Sequence, residues 1–283
     1  MCESMLKIGV AIAHPSVLYN EDFFRSLNEA GIDVMEITRY AEDYKGLDYK
    51  AVSEYSKRYN VGLWSYHLPF YPTWEVNITS PDADMRKKSL DYYTGIVGRA
   101  TDIGIDKFVV HPCNDFMVDE YRAEHIERAG ESLDRLCEIA AEHGAVVAVE
   151  NMIPSLLGRT MEEMEMIVGV NDKLRVCFDT NHLLTGSHVD FIRKFADRLI
   201  TLHVSDYDFK WERHWLPGEG DINWIELKAA LDDIGYRGPW MYEVSPVAPD
   251  TIVRERPLVY TDYVENARCI FQGEIPVGLG RRI

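Results

Sequence analysis

Acidic and imidazole side chains recur in this sequence at or near the ends of short apolar segments. In chain order they are His14, Glu36, His67, His111, Glu150, Asp179, His182, His203, Asp206 and Glu243. A hydrogen bond in the core would explain any one of them. A converging set needs another explanation, because buried carboxylates and imidazoles are costly unless they are paired or bind a cation. The pattern therefore predicts a metal site.

The residue types at these positions limit the metal. Glu, Asp and His without Cys suit a borderline or hard divalent cation, such as Mn²⁺, Zn²⁺, Co²⁺ or Mg²⁺. The five cysteines show no paired spacing, and we interpret Cys113 and Cys177 as small buried packing residues. Because the N-terminal residues also lack the pattern of a signal peptide, we expect a reduced, cytoplasmic protein.

The elements that must position these residues follow from the apolar segments. Eight such segments alternate with amphipathic helical stretches, as expected for βα units around a parallel sheet. We predict strands at Leu6 to Ala13, Asp33 to Ile37, Val61 to Leu68, Lys107 to His111, Val146 to Glu150, Arg175 to Asp179, Leu199 to Val204 and Trp240 to Val244. The clearest helices are predicted at Asp84 to Asp102 and Tyr121 to Glu142. This α/β pattern predicts a (β/α)8 TIM barrel with its site at the carboxyl ends of the strands.

Length and charge restrict the alternatives. The 283 residues accommodate one barrel of about 250 residues, so we assign residues 1–246 to a single barrel domain and 247–283 to a C-terminal helix and tail packing on it. No G-x-G-x-x-G follows the first strand, which disfavours an open dinucleotide-binding sheet. The formal net charge of −17 disfavours nucleic acid and acidic lipid as partners. The apolar segments are too short to cross a membrane.

Three segments resemble the xylose isomerase-like barrel superfamily, which contains sugar isomerases and epimerases together with the endonuclease IV nucleases. They are Arg175-Val-Cys-Phe-Asp179-Thr-Asn-His182, His203-Val-Ser-Asp206 and His214-Trp-Leu-Pro-Gly218-Glu-Gly220-Asp-Ile-Asn-Trp224. The resemblance extends from the first predicted strand to Glu243. Its D-T-x-H and P-G-x-G motifs are specific for the superfamily and much less specific for a substrate.

Similarity to the ketose 3-epimerase branch implies one divalent ion and names its ligands. By that resemblance the metal ligands are Glu150, Asp179, His203 and Glu243. The same branch implies that His182 contacts the substrate. An arginine that these epimerases carry after the strand-seven histidine is matched only loosely, by Lys210 or Arg213.

We interpret the protein as a metal-dependent isomerase or epimerase of a small keto sugar or polyol, with a role in carbohydrate metabolism. Glu150 and Glu243 are the predicted catalytic residues, which would transfer a proton through a metal-stabilised ene-diolate. The predicted substrate-binding residues are His67, His111, His182, Glu212 and His214. The aromatic residues of segment 70–74, with Trp211 and Trp215, would either face the sugar or pack on the rim.

The endonuclease IV branch supplies the alternative hypothesis. It implies three zinc ions, whose further ligand positions are filled here by His67, His111, His182, Glu212 in place of an Asp, and His214. A metal-dependent phosphodiesterase would fit them, although the acidic balance and the lack of Arg/Lys-rich loops argue against nucleic acid. A barrel that binds a sugar without converting it is a third hypothesis. We predict one bound ion, although the sequence contains ligands for as many as three. A homo-oligomer is compatible with the sequence.

Overall fold

Eight parallel strands surround the centre of the computed structural model, which describes residues 6–12, 18–38, 46–116 and 118–283. The strands are β1 (Ile8–Ala11), β2 (Val34–Ile37), β3 (Gly62–His67), β4 (Lys107–Val110), β5 (Val146–Glu150), β6 (Arg175–Asp179), β7 (Leu199–His203) and β8 (Trp240–Tyr242). Each strand pairs with the next along the chain as far as β7, and β1 also pairs with β8.

Hydrogen bonds between the segments that follow β7 and β8 join the two ends of this sheet. The Val204 amide donates to the Met241 carbonyl at 2.8 Å, and the Glu243 amide donates to the Val204 carbonyl at 3.0 Å. The predicted (β/α)8 barrel is therefore confirmed. The predicted end of the first strand, His14, lies outside the described residues.

Helices cover the outside of the sheet. They are α1 (Glu21–Ala30), α2 (Tyr49–Tyr59), α3 (Ala83–Asp102), α4 (Arg122–Glu142), α5 (Met161–Val168), α6 (His188–Lys194), α7 (Trp224–Asp233) and α8 (Tyr260–Phe271). Most begin at a side-chain cap; the Asn20 side chain, for example, accepts from the Phe23 amide at 3.0 Å. The two clearest predicted helices, α3 and α4, are confirmed. None of the helices in the described ranges is long and apolar enough to cross a bilayer.

The C-terminal segment adds a two-stranded sheet beside the barrel. Strand β9 (Ile252–Arg254) pairs antiparallel with β10 (Gly280–Arg282), so the Gly/Arg tail is paired. Arg254 forms a buried two-point ion pair with Glu219, with Nε–Oε1 at 2.9 Å and Nη2–Oε2 at 2.7 Å. Helix α8 packs against α1 and α7. The domain boundary at residue 246 stays a prediction.

Candidate metal centre and active site

The predicted site residues converge on Glu150, at the carboxyl end of β5. Four histidines from different parts of the barrel lie within 3.4 Å of its buried carboxylate. His67 and His111 face Oε2 at 3.1 and 3.4 Å, while His182 and His203 face Oε1 at 3.4 and 3.1 Å. Parallel strands bring their carboxyl ends to one face of the barrel, which explains why residues distant in sequence meet here.

The four ligands implied by the sequence resemblance form one group. Glu150, Asp179, His203 and Glu243 each place one ligand atom within 4.8 Å of the others. Asp179 Oδ2 and Glu243 Oε2 are buried atoms without a hydrogen-bond partner. Buried carboxylate oxygens are normally satisfied, and a divalent cation is the partner that would satisfy both. The chemistry of this donor set therefore fits a metal ion.

Two further groups that contain only histidine nitrogens and carboxylate oxygens meet the same distance criterion. The first contains His67, His111 and again Glu150, and the second contains His182, Glu212 and His214. Within the second group, Glu212 Oε1 lies 2.6 Å from His214 Nε2 and 3.4 Å from His182 Nε2. Glu150 is thus shared by two of the three groups.

Cys177 also lies close to Glu150 and His203. Burial raises the pKa of its thiol well above the ordinary value, so the thiol stays protonated. Since the thiolate is the form that binds metals, Cys177 is a poor ligand. This agrees with its interpretation as a small buried packing residue.

The histidine rings are held with one nitrogen directed toward these groups. In three of them Nδ1 lies 2.9 to 3.0 Å from a backbone carbonyl, which can only accept; the pairs are His67–Leu68, His182–Asn151 and His214–Glu243. Nδ1 therefore carries a proton in each ring, so Nε2 is the nitrogen that can bind a cation once the ring is neutral. Metal-binding histidines are oriented in this way by their second nitrogen.

The pKa values of the two glutamates are shifted in opposite directions by their surroundings. Burial opposes ionisation of Glu150, but His203, His111 and His182 hold its pKa well below the ordinary value. Burial raises the pKa of Glu243 to about 8, and the negative charges of Asp179 and Glu150 act in the same direction. Protons thus compensate the carboxylates where a metal ion would do so, and metal binding is expected to displace them.

A cavity of about 740 Å³ opens beside these groups. The predicted site residues that line it are His111, His182, Glu212, His214 and Glu243. His67 is not among the described residues of the lining, and it faces Glu150 instead. This position places His67 with the ligand groups, whereas its predicted contact with substrate stays untested.

The aromatic residues predicted for the site are found in three different environments. Phe70 and Tyr71 line the cavity, whereas Trp74 and Trp211 are exposed outside its lining. Trp215 is only 2% exposed, and its indole Nε1 donates to Thr251 Oγ1 at 2.9 Å. Of its two predicted roles, packing applies to Trp215 and contact with sugar does not.

Two polar side chains beside the ligand groups have roles that sequence reasoning missed: Glu36 was counted only as one of the converging residues, and Asn151 was not considered. Glu36 Oε1 lies 3.0 Å from His203 Nε2, and Glu36 Oε2 accepts from Ser65 Oγ at 2.7 Å. Asn151 holds the backbone of Asp179 on both sides, by accepting from its amide and donating to its carbonyl. The sequence signal for Glu36 was the presence of a carboxylate within the otherwise apolar second strand.

Comparisons with known proteins agree with this architecture. A fructoselysine 3-epimerase of Shigella flexneri is 24% identical over 251 residues, covering 82% of this chain and 88% of that protein. A probable endonuclease 4 of Thermoplasma acidophilum is 25% identical over 181 residues, covering 58% of this chain and 62% of that protein. The crystal structure of a D-tagatose 3-epimerase-like protein superposes with a TM-score of 0.72 and 26% identity, covering 84% of this chain and 90% of that one.

Coverage of several curated relatives is partial: the chain spans 41% to 66% of the length of five of them, which include probable endonucleases and uncharacterized archaeal proteins. The family described as "Xylose isomerase-like TIM barrel" matches residues 24–261, which is most of the chain. Together with the eight-stranded barrel, this match shows that the chain belongs to the xylose isomerase-like TIM barrel family.

Proposed function

We propose that the protein is a divalent-metal-dependent isomerase or epimerase of a small keto sugar or polyol. The observation that carries the proposal is the meeting of two glutamates, Glu150 from β5 and Glu243 after β8, in one ligand group beside a cavity. Relatives named as sugar 3-epimerases support the reaction class.

Glu150, Asp179, His203 and Glu243 would hold the ion, because their ligand atoms form one group that includes two buried carboxylate oxygens without a hydrogen bond. When bound there, a divalent ion supplies Lewis-acid polarisation of a carbonyl and stabilises negative charge on the oxygens beside it.

The two glutamates are proposed to divide the proton transfer. They approach from strands on different sides of the barrel mouth, so one can remove a proton from one face of a bound carbon and the other can return a proton to the opposite face. Glu243 lines the cavity and its side chain is 21% exposed, whereas the Glu150 side chain is only 1% exposed. We therefore assign the more accessible proton transfer to Glu243.

The remaining polar lining is suited to sugar hydroxyls. His111, His182, Glu212 and His214 reach the cavity surface and combine ring nitrogens with a carboxylate. A carboxylate accepts from a hydroxyl, and an imidazole accepts or donates according to its protonation. These residues would orient the substrate so that its reacting carbon lies next to Glu243.

The proposal is tested by solvent deuterium exchange. The protein, reconstituted with Mn²⁺ or Co²⁺, is incubated in D₂O with a panel of ketoses and aldoses, and incorporation is followed by NMR. We expect exchange at a carbon next to the carbonyl, together with formation of the epimer or isomer. Absence of exchange across the panel with fully loaded protein would contradict the proposal.

A metal-dependent phosphodiesterase is the second candidate function. It is favoured by the two additional ligand groups, which together with the first could hold three ions, and by the endonuclease 4 relatives. Metal titration and cleavage of abasic-site DNA separate the candidates. The isomerase proposal expects saturation near one ion per chain and no cleavage, whereas three ions with efficient cleavage would favour the nuclease.

A further inference from the structure

The cavity beside the ligand groups has two chemically different walls. One wall carries the histidine and carboxylate side chains described above. The other wall consists mainly of the apolar residues Phe70, Tyr71, Phe116, Met152, Ile153 and Leu156, beside Thr73, Asn114 and Asp115, and we call these six residues the apolar wall. The two walls meet where the ring of Phe70 stacks on His111, with centroids 4.3 Å apart and an angle of 25° between the planes.

We infer that the substrate carries an aromatic or alkyl group attached to its sugar or polyol part, and that this group binds the apolar wall. The inference rests on the proposed function for the identity of the polar part. A free sugar offers this wall only small C–H patches between its hydroxyls, which can pack on one or two rings, whereas a larger apolar group would cover the whole wall.

The size of the cavity supports a substrate of two parts. Its volume of about 740 Å³ lies in the upper half of the range of about 300–1,000 Å³ that is typical of sites for drug-sized ligands. A free pentose or hexose is smaller than such a ligand. An apolar group that occupied the additional space against the apolar wall would gain free energy by leaving water.

Two members of this wall are exposed in the protein alone. Phe116 is 82% exposed and Tyr71 is 48% exposed, although both line the cavity. Large apolar side chains exposed next to a concave site are typical of ligand contacts. An apolar group in the cavity would remove part of both rings from water.

The deeper part of the wall is held in place by polar contacts behind it. The Arg122 guanidinium donates to the carbonyls of Leu156 at 2.8 Å and Pro154 at 3.0 Å, and it also pairs with Glu163 at 3.2 Å. Arg122 itself is buried. The loop that carries Leu156 is therefore ordered before binding, which lowers the entropy that a ligand must overcome.

The charge of the lining disfavours the main competing group, a phosphate. Arg213 is the only Lys or Arg among the described residues of the lining. Its guanidinium is already bound to Asp208 at two points, 3.0 and 3.3 Å. Phosphate sites rely on unpaired Arg or Lys side chains, and here the neighbouring Glu212 carboxylate would repel an anion.

Substituted sugars test the inference directly. The probes are a free ketohexose, its 6-O-octyl and 6-O-phenyl ethers and its 6-phosphate, because a change at this position leaves the carbonyl and its neighbours unaltered. With metal-loaded protein, we expect the ethers to bind at least about tenfold more tightly than the free sugar, with a lower Kd, and to exceed it at least about tenfold in kcat/KM for deuterium exchange. The 6-phosphate should show no such gain. A free sugar that equals the ethers in both assays, or a preference for the phosphate, overturns the inference.

Substitutions within the apolar wall and beside it test whether the ether group binds this wall. Phe116→Ser and Leu156→Asn should reduce the ratio of ether to free sugar in both assays. Val118→Ser changes a residue that is 60% exposed, lies close to Phe116 in sequence and is outside the described lining, so it should keep the ratio. Equal ratios in all three variants would show that the ethers bind elsewhere, and this too would overturn the inference.

The outcomes separate this inference from the proposed function. If the ethers bind more tightly than the free sugar but no carbon exchanges, the isomerase proposal fails and the apolar subsite stands. If free sugars exchange as fast as the ethers and bind equally well, the isomerase proposal stands and the apolar subsite is wrong.

Discussion

The imidazole of His203 lies between the carboxylates of Glu36 and Glu150. Its Nε2 atom is 3.0 Å from Glu36 Oε1, and its Nδ1 atom is 3.1 Å from Glu150 Oε1. Glu36 is held in turn by Ser65, whose hydroxyl donates to Oε2 at 2.7 Å. Glu36 therefore holds the ring with its Nε2 proton directed at the Glu36 carboxylate, so that Nδ1 faces the ligand group.

Replacing Glu36 with Gln should weaken metal binding roughly 10- to 100-fold, as is usual when the partner of a ligating histidine is changed. The substitution keeps the volume but removes the charge that sets the tautomer of His203. Affinity is measured by competition with a chromophoric chelator. Ser65→Ala, which leaves the contact between Glu36 and His203 in place, should have a smaller effect. Equal affinity in the Glu36 variant and the wild type would refute this role.

Replacing Glu243 with Gln should lower turnover by roughly 10²- to 10⁴-fold, because the variant keeps a neutral oxygen ligand and loses the general base. Exchange at the substrate carbon and metal content are measured on the same samples, since loss of the ion would reduce turnover as well. A variant that holds its ion and exchanges at the normal rate would place the proton carrier elsewhere, with His182 and His214 the next candidates.

Metal binding should stabilise the fold through the unpartnered oxygens of Asp179 and Glu243. Free metal at a hundred times its Kd should raise the free energy of unfolding by about 2.7 kcal/mol. Thermal unfolding after chelator treatment and after addition of Mn²⁺ measures the change in Tm. Asp179→Asn should reduce the gain. Asp172→Asn, at a fully exposed carboxylate, should keep it, and equal gains in both variants would exclude this site.

The P-G-x-G motif is held by Asp206. Its carboxylate accepts from the Tyr207, Gly218 and Ile222 amides at 2.9, 2.8 and 3.2 Å and from the Trp224 indole at 2.9 Å. A Cβ atom on Gly220 would lie 2.0 Å from Asp206 Oδ1, so the glycine is required by close approach. The sequence motif thus reflects the packing of this loop rather than contact with a ligand.

Asp206→Ala should therefore lower the free energy of unfolding by roughly 2–4 kcal/mol, because it leaves several buried donors without an acceptor. Denaturant unfolding monitored by circular dichroism measures the change. Asp221→Ala removes an exposed acid of the same loop that pairs with Arg282, and it should cost less than about 1 kcal/mol. Similar losses in the two variants would contradict the role of Asp206.

The sequence could predict the barrel and most of the ligand groups because both follow from one regularity. Continuous apolar strands separated by helices specify a parallel barrel, and residues at the carboxyl ends of such strands must meet. Glu150, Asp179 and His203 were among the strand-end residues found in this way, and the family resemblance then implied that they are metal ligands. The support of His203 by Glu36 was not found, because ring orientation depends on a contact across 167 residues of chain. The apolar wall was predicted only in part, through Phe70 and Tyr71, since Phe116 and Leu156 lie in loops whose paths local pattern does not specify.

His188, at the start of α6, fixes the turn after β6. Its Nε2 donates to the Thr180 carbonyl at 2.7 Å, and its ring is surrounded by the aromatic rings of Phe178, Tyr207 and Phe209. Burial lowers the pKa of His188, while the Thr180 carbonyl and the charge of Asp179 oppose this shift only in part. The folded protein therefore keeps this histidine neutral at a pH where the unfolded chain is protonated.

Because the folded and unfolded chains bind the His188 proton at different pH values, the free energy of unfolding depends on pH. As the pH falls below about 6.5, the unfolded chain gains a proton that the folded ring does not, so the free energy of unfolding decreases until the folded pKa is reached. One group contributes a slope of at most about 1.4 kcal/mol per pH unit. His188→Gln retains a donor for Thr180 and removes the titration, so its stability should fall less steeply between pH 7 and 5. Denaturant unfolding of both chelator-treated proteins measures the difference in slope, and identical slopes would show that His188 titrates normally in the folded state.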